Sequence, residues 1–126
     1  MSEKLQTLVA FDMSISRMKD FYDLWVMSRQ FSFGGAVLTE AIRAMFERRR
    51  TTIPQGVPTA LTDVFAGDHD KQTQWAAFLK RNVLTGTTVE LATVIQGLRS
   101  FLFEPLQAAA QKEIFSKSWN NDGPWA

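Results

Sequence analysis

Four charged residues stand close together near the start of this 126-residue sequence: Arg17, Lys19, Asp20 and Asp23. Residues three and four positions apart share one face of a helix, so Arg17 would lie over Asp20, and Lys19 beside Asp23. Such a face could bind phosphates and orient a nucleophile or a metal ion. The same spacing also suits a solvated helix edge with two weak ion pairs, each contributing about 0.3 kcal/mol. Spacing alone leaves both interpretations open.

The element that carries these residues is predicted to be a helix. It begins with an N-cap at Ser14 or Ser16 and ends near Arg29. Its apolar residues form one broad face, and the four charged residues occupy the other side. The apolar residues of this helix are Met18, Phe21, Tyr22, Leu24 and Trp25. An earlier helix is expected over 2–11, where Leu5, Leu8 and Val9 recur at helical spacing.

Helical spacing continues through the rest of the chain. Further helices are predicted over about 35–50 and 88–111. A short helical turn is predicted at 60–65, and another helix runs from an N-cap at Asp68 or Asp70 to about 81. Pro105 is expected to kink or end the 88–111 helix near Phe103. Phe31 and Phe33 are expected to return to the core.

The predicted fold is therefore all-α, a small irregular bundle of about five helices. The C-terminal tail contains Trp119 and Trp125 and is expected to pack on this bundle. The sequence reads as a single helical domain over 1–126. Its motif-bearing helices lie at 1–50, an irregular linker at 51–59, and a helical region with the tail at 60–126.

Composition excludes several kinds of function. Hydrophobic residues make up 45% and charged residues 21% of the chain, as in ordinary globular proteins. The net charge of +1 gives no general attraction to nucleic acids or membranes. The absence of cysteine excludes disulfides, thiolate catalysis and zinc–sulfur sites. No apolar run approaches the roughly 20 residues of a membrane span, and no signal peptide is recognisable, so a cytoplasmic location is expected.

The identity of the residues around the charged face is more specific than their spacing. Arg17 to Leu24 resembles the Arg-x-Lys-Asp-x-x-Asp-Leu motif of the AbiEii/AbiGii toxin family. The resemblance continues in order along the chain. Its other segments are Glu3–Val9, Phe31–Leu38, Ala41–Arg49, Lys71–Leu79 and the ending from Trp119 to Trp125.

This resemblance implies a nucleotidyltransferase toxin that is encoded beside an antitoxin and active in phage abortive infection. The family binds a nucleoside triphosphate with Mg²⁺, and some members transfer nucleotides to tRNA. Carried over by motif, the catalytic residues are Lys4, Asp20 and Asp23. The nucleotide- and phosphate-binding residues are Lys4, Arg17 and Lys19. No residue of this chain is assigned as a metal ligand.

Two family motifs have no counterpart here, namely the Gly-Gly-Thr turn and the strand with an Asp-x-Asp metal pair. The one Asp-x-Asp, Asp68-His69-Asp70, precedes a predicted helix and is interpreted as its N-cap. We therefore expect the chain to be the C-terminal portion of such an enzyme, inactive alone and without tight binding of nucleotide or Mg²⁺. Its expected partners are the missing N-terminal half or the cognate antitoxin, with tRNA as a possible substrate of the complete enzyme.

An alternative of another class is a stand-alone, non-catalytic helical interaction module. It would be a homodimer or other homo-oligomer that hides apolar surface, for which Leu5, Leu8 and Val9 are candidates.

Other residues with chemical potential have simpler explanations. His69 is the single histidine and has no cysteine beside it. The Glu47–Arg50 segment could contact RNA phosphates, although cations also suit a helix C-terminus. Three tryptophans could stack on bases but are interpreted as core: Trp75, Trp119 and Trp125.

Overall fold

The computed structural model describes residues 5–6, 18–81, 89–121 and 123–126. Within these ranges lie five α-helices, one 3-10 helix and two short strands. They are α1 (Met18–Gln30), β1 (Phe33–Gly34), α2 (Gly35–Arg48), the 3-10 helix (Thr59–Leu61), α3 (Asp63–Gly67), α4 (His69–Arg81), α5 (Leu91–Gln111) and β2 (Ser118–Trp119). Leu5 and Gln6 are also helical. The predicted all-α bundle of about five helices is confirmed, and the rest of the predicted 2–11 helix lies outside the described residues.

Helix α5 is the centre of the bundle. It packs against α1, α2, α3 and the 3-10 helix, while α4 packs against α1. Its apolar residues recur three and four positions apart and are fully buried along the whole helix: Val94, Ile95, Leu98, Phe101, Leu102 and Leu106. The long apolar stripe in the sequence therefore corresponds to the core.

Pro105 lies inside α5, which continues to Gln111. The sequence predicted that Pro105 would kink the helix or end it near Phe103, and the end near Phe103 does not occur. A proline has no N–H, so the carbonyl of Phe101 loses its usual helical partner. The indole Nε1 of Trp125 donates to this carbonyl oxygen at 2.8 Å. The helix ends instead at Gln111, and the next residue, Lys112, adopts a left-handed conformation with φ 56°.

The C-terminal tail packs on the bundle, as the tryptophans predicted. Strand β2 pairs antiparallel with β1, with Phe33 opposite Trp119. Trp119 and Trp125 are both buried. Phe33 also packs as expected, with its ring centroid 5.1 Å from that of Phe101.

The expectation that Phe31 returns to the core is wrong, because its side chain is 56% exposed. Its N–H still bonds to the Met27 carbonyl at 3.1 Å. Phe31 therefore continues the last turn of α1, and its side chain is exposed to solvent before β1 begins.

Helices α3 and α4 each begin at a side-chain N-cap. The Thr62 hydroxyl accepts a hydrogen bond from the Phe65 N–H and caps α3. The Asp68 carboxylate accepts one from the Lys71 N–H at 3.0 Å and caps α4. None of the helices in the described ranges has the combination of length and apolarity that a bilayer span requires.

Candidate functional site

Helix α1 carries three of the predicted site residues, and the structure places them in two environments. Lys19 and Asp23 are one turn apart at the surface, with Nζ and Oδ2 2.8 Å apart. The Lys19 side chain is 71% exposed, and that of Asp23 is 25% exposed. This is the i,i+4 ion pair that the sequence predicted, and at such exposure it contributes little to folding. Its ammonium group is accessible to a ligand.

Asp20 lies inside the bundle rather than on the polar side of α1. Its relative exposure is 2%, and Phe21 and Leu24 on the same helix are fully buried. The expectation that all four charges share the polar side is therefore wrong for Asp20. The helix is covered by both α4 and α5, so the buried part of its surface extends beyond the apolar stripe.

The remaining two predicted site residues, Lys4 and Arg17, lie outside the described residues. Leu5, the neighbour of Lys4 in the sequence, is buried with 1% exposure. Gln6 is held by two hydrogen bonds. Its Nε2 donates to the Thr51 hydroxyl at 2.8 Å, and its Oε1 accepts from the Arg49 guanidinium at 2.9 Å. The chain next to Lys4 is thus attached to the segment that follows α2.

Aromatic side chains fix the position of α1 around Asp20. The rings of Phe21 and Phe65 stack with centroids 5.3 Å apart. The ring of Tyr22 lies 6.4 Å from that of Trp75 and 5.8 Å from that of Phe78, both on α4. These contacts hold the first turns of α1 against α3 and α4.

Sequence reasoning missed Lys71. This lysine has only 6% exposure and lies in the first turn of α4, with its Nζ 5.4 Å from the centroid of the Phe65 ring. Lys71, Trp75 and Phe78 are the buried residues of α4. Their i, i+4, i+7 spacing places them on one face. A lysine in register with two core aromatics was the signal that could have identified it.

The other candidates have structural roles. Asp68 is the N-cap of α4, as interpreted from the sequence, while His69 and Asp70 are exposed. The indole N–H groups of the three core tryptophans all donate to backbone carbonyls: Trp75 to Val89, Trp119 to Ser28 and Trp125 to Phe101. All three are buried, so the interpretation of these residues as core is confirmed.

The arginines after α2 are exposed, and Arg49 bonds to Gln6. Contact of this segment with RNA stays a hypothesis, since no observation tests it.

A cavity of about 280 Å³ lies between α1 and α5 and is lined in part by Trp25, Arg29 and Gly97. The Arg29 guanidinium stacks on the Trp25 ring at 4.9 Å. This cavity borders the C-terminal half of α1, and the described site residues Lys19, Asp20 and Asp23 do not line it. It is therefore a separate feature from the charged motif.

The described acidic residues do not form a metal site by themselves. Across the described ranges, no three residues of the types His, Cys, Asp and Glu lie close enough to hold an ion. Asp23 is engaged by Lys19, and Asp20 is buried. These carboxylates do not fit a complete magnesium site.

The comparison with protein families gives a match over most of the chain. The model of the family described as "Nucleotidyl transferase AbiEii toxin, Type IV TA system" matches residues 1–112, which include the charged motif and helices α1 to α5. The chain therefore belongs to the AbiEii nucleotidyltransferase toxin family. No curated protein and no solved structure matches it.

Proposed function

We propose that this chain is the C-terminal helical part of an AbiEii-type nucleotidyltransferase toxin, and that α1 contributes charged residues to the nucleotide site. The family match over residues 1–112, which include α1 and its charged residues, carries this proposal. Burying a carboxylate costs free energy unless it is compensated by charge or hydrogen bonds. Asp20 is buried and has an interaction partner, so its place in the bundle is fixed.

The roles follow from the chemistry of nucleotidyl transfer. Negative charge develops on the leaving pyrophosphate, and cations stabilise it. Lys4, Arg17 and Lys19 would bind the phosphates. The exposed ammonium of Lys19 suits this role, because phosphate oxygens can replace the Asp23 carboxylate as its ion-pair partner.

The proposed catalytic residues are Lys4, Asp20 and Asp23. Asp20 would orient the attacking group, and Asp23 would assist it. Mg²⁺ and a nucleoside triphosphate are what the family implies for the complete enzyme. The Asp-x-Asp pair that binds the metal would come from another polypeptide segment, because Asp68-His69-Asp70 serves as a helix cap. The type IV toxin–antitoxin family also implies a cognate antitoxin as a partner, and tRNA is the proposed nucleotide acceptor.

Incorporation of radiolabelled nucleotides tests this division of the site. The purified chain is incubated with tRNA, Mg²⁺ and each nucleoside triphosphate in turn. We expect no labelling by the chain alone, and labelling after addition of a polypeptide that carries the Gly-Gly-Thr and Asp-x-Asp motifs. Labelling of tRNA by the chain alone would show that the site is complete without a second segment.

Growth inhibition tests the role of Asp20. In cells that express the complete toxin, Asp20→Asn should abolish growth inhibition, while circular dichroism should show a folded protein. Asp70→Asn is the matched control, because Asp70 is exposed on α4 and lies outside the proposed site. Growth inhibition that survives Asp20→Asn in a folded protein would remove Asp20 from the proposed site.

A second candidate function is a non-catalytic interaction module that associates with itself. The observation behind it is that the apolar side chains of Val37 and Ile114 lie at the surface, 75% and 93% exposed. Leu5, which the sequence suggested for such a surface, is buried instead. Sedimentation equilibrium decides between monomer and dimer. A concentration-dependent dimer that Val37→Ser and Ile114→Ser disrupt would support this function, and a monomer would contradict it.

A further inference from the structure

The bundle buries one charge of each sign. Of the charged residues that the structure describes, Asp20 and Lys71 alone are buried, with exposures of 2% and 6%. Lysine and aspartate are almost never fully buried unless they are paired. Neither side chain is without an interaction partner. Both charges are therefore held in the interior of the bundle.

Packing places Lys71 and Asp20 in the same part of the bundle. Both lie in the first turn of a helix, Asp20 in α1 and Lys71 in α4. Phe65 connects these turns, because its ring stacks on Phe21 and is also contacted by the Lys71 ammonium. One turn further along α4, Trp75 packs against Tyr22.

We propose that Lys71 is a positioning residue for Asp20: the buried Lys71 ammonium attracts the Asp20 carboxylate and fixes its place in the bundle. The coupling is electrostatic. In the protein interior the effective dielectric constant is below that of water, so opposite charges still attract one another when they are not in direct contact. Only the catalytic consequence of this coupling rests on the proposed function.

A double-mutant cycle measures the coupling directly. Asp20→Asn and Lys71→Met each remove a charge at nearly constant volume, so the packing is preserved. The free energies of unfolding are measured in urea for the full chain, both single variants and the double variant. We expect the double variant to lose less stability than the sum of the two single losses. Additive losses would overturn the proposal.

The exposed pair provides the matched control. The cycle of Lys19→Met and Asp23→Asn should show a small coupling that disappears in about 1 M NaCl, because salt screens exposed charges. The coupling of Lys71 with Asp20 should persist in the same salt, since buried charges are screened much less. Loss of both couplings in salt would show that Lys71 does not act from a buried position.

Rescue by arginine separates charge from packing. Lys71→Arg keeps the positive charge and should retain most of the stability that Lys71→Met and Lys71→Gln lose. In the complete toxin, Lys71→Met should raise the inducer level required for growth inhibition at least tenfold. Lys71→Arg should raise this level much less. Lys80→Met, on the exposed side of the same helix, is the control.

The two proposals can fail separately. If the cycle shows coupling but the Asp20→Asn toxin is still active, Lys71 is a partner of Asp20, and Asp20 has no catalytic role. An inactive Asp20→Asn toxin without coupling in the cycle would support the proposed function and overturn the role of Lys71.

Discussion

The carbonyl oxygen of Phe101 accepts a hydrogen bond from the indole N–H of Trp125, 24 residues later, at 2.8 Å. In an uninterrupted α-helix this carbonyl would accept from residue 105. That residue is Pro105, which has no N–H to donate. The tail therefore satisfies the backbone group that the proline leaves open, and α5 continues through it.

This relationship predicts that the cost of losing Trp125 depends on Pro105. Trp125→Phe should destabilise the chain by about 1–3 kcal/mol, because a buried carbonyl loses its donor. In a Pro105→Ala background the cost should be smaller, since the alanine N–H can bond to the Phe101 carbonyl. Urea unfolding of the four proteins measures both costs, and equal costs would contradict the relationship.

The start of α2 should tolerate no side chain at Gly35. A Cβ there would collide with the Lys117 carbonyl oxygen and with the Phe115 ring. Gly35→Ala should therefore destabilise the chain by about 1–3 kcal/mol through overpacking. Gly34→Ala is the control, because nothing lies within 4 Å of its Cβ position. Thermal unfolding of the two variants compares them, and similar melting temperatures would refute the close approach.

Gln6 should attach the N-terminal segment to the end of α2. Gln6→Ala removes its hydrogen bonds with Arg49 and Thr51 and should cost about 1–3 kcal/mol. Arg49→Ala should then add little in the Gln6→Ala background, because the two side chains act through one contact. Chemical unfolding of both single variants and the double variant measures this. Gln55→Ala, in an exposed loop, should have little effect.

Trp119 should stabilise α1, the helix of the candidate site, although it lies outside the residues that the family model matches. Its Nε1 donates to the Ser28 carbonyl of α1 at 2.7 Å, although Trp119 lies beyond residues 1–112. Trp119→Phe should cost about 1–3 kcal/mol, because a buried acceptor loses its donor. Hydrogen exchange should be faster in the last turn of α1 in this variant. Unchanged exchange there would mean that the tail does not stabilise α1, and Asn120→Ala serves as an exposed control.

Periodicity predicted the helices well because it reflects local geometry. The apolar residues of α5 recur three and four positions apart, and that spacing alone identifies a helix with one buried face. The tail tryptophans were also predictable, since a disordered tail rarely contains two of them. The family motif at Arg17 to Leu24 was visible in the residue types themselves, and the family match agrees with it.

The placement of Asp20 was not predictable in the same way. Its neighbours in the motif suggested a polar helix side, but two helices cover α1 and extend its buried surface. The number of elements that pack on a helix depends on residues far away in the sequence. Local periodicity contains no such information.

The sequence by itself determined the helical class, the approximate helix positions and the charged motif, because these depend on residues within a few turns of one another. The tertiary structure alone decided that Asp20 of α1 and Lys71 of α4 are buried, and that Gln6 bonds to Arg49. Each of these depends on contacts between segments distant in the sequence, and only the packed chain brings those segments together.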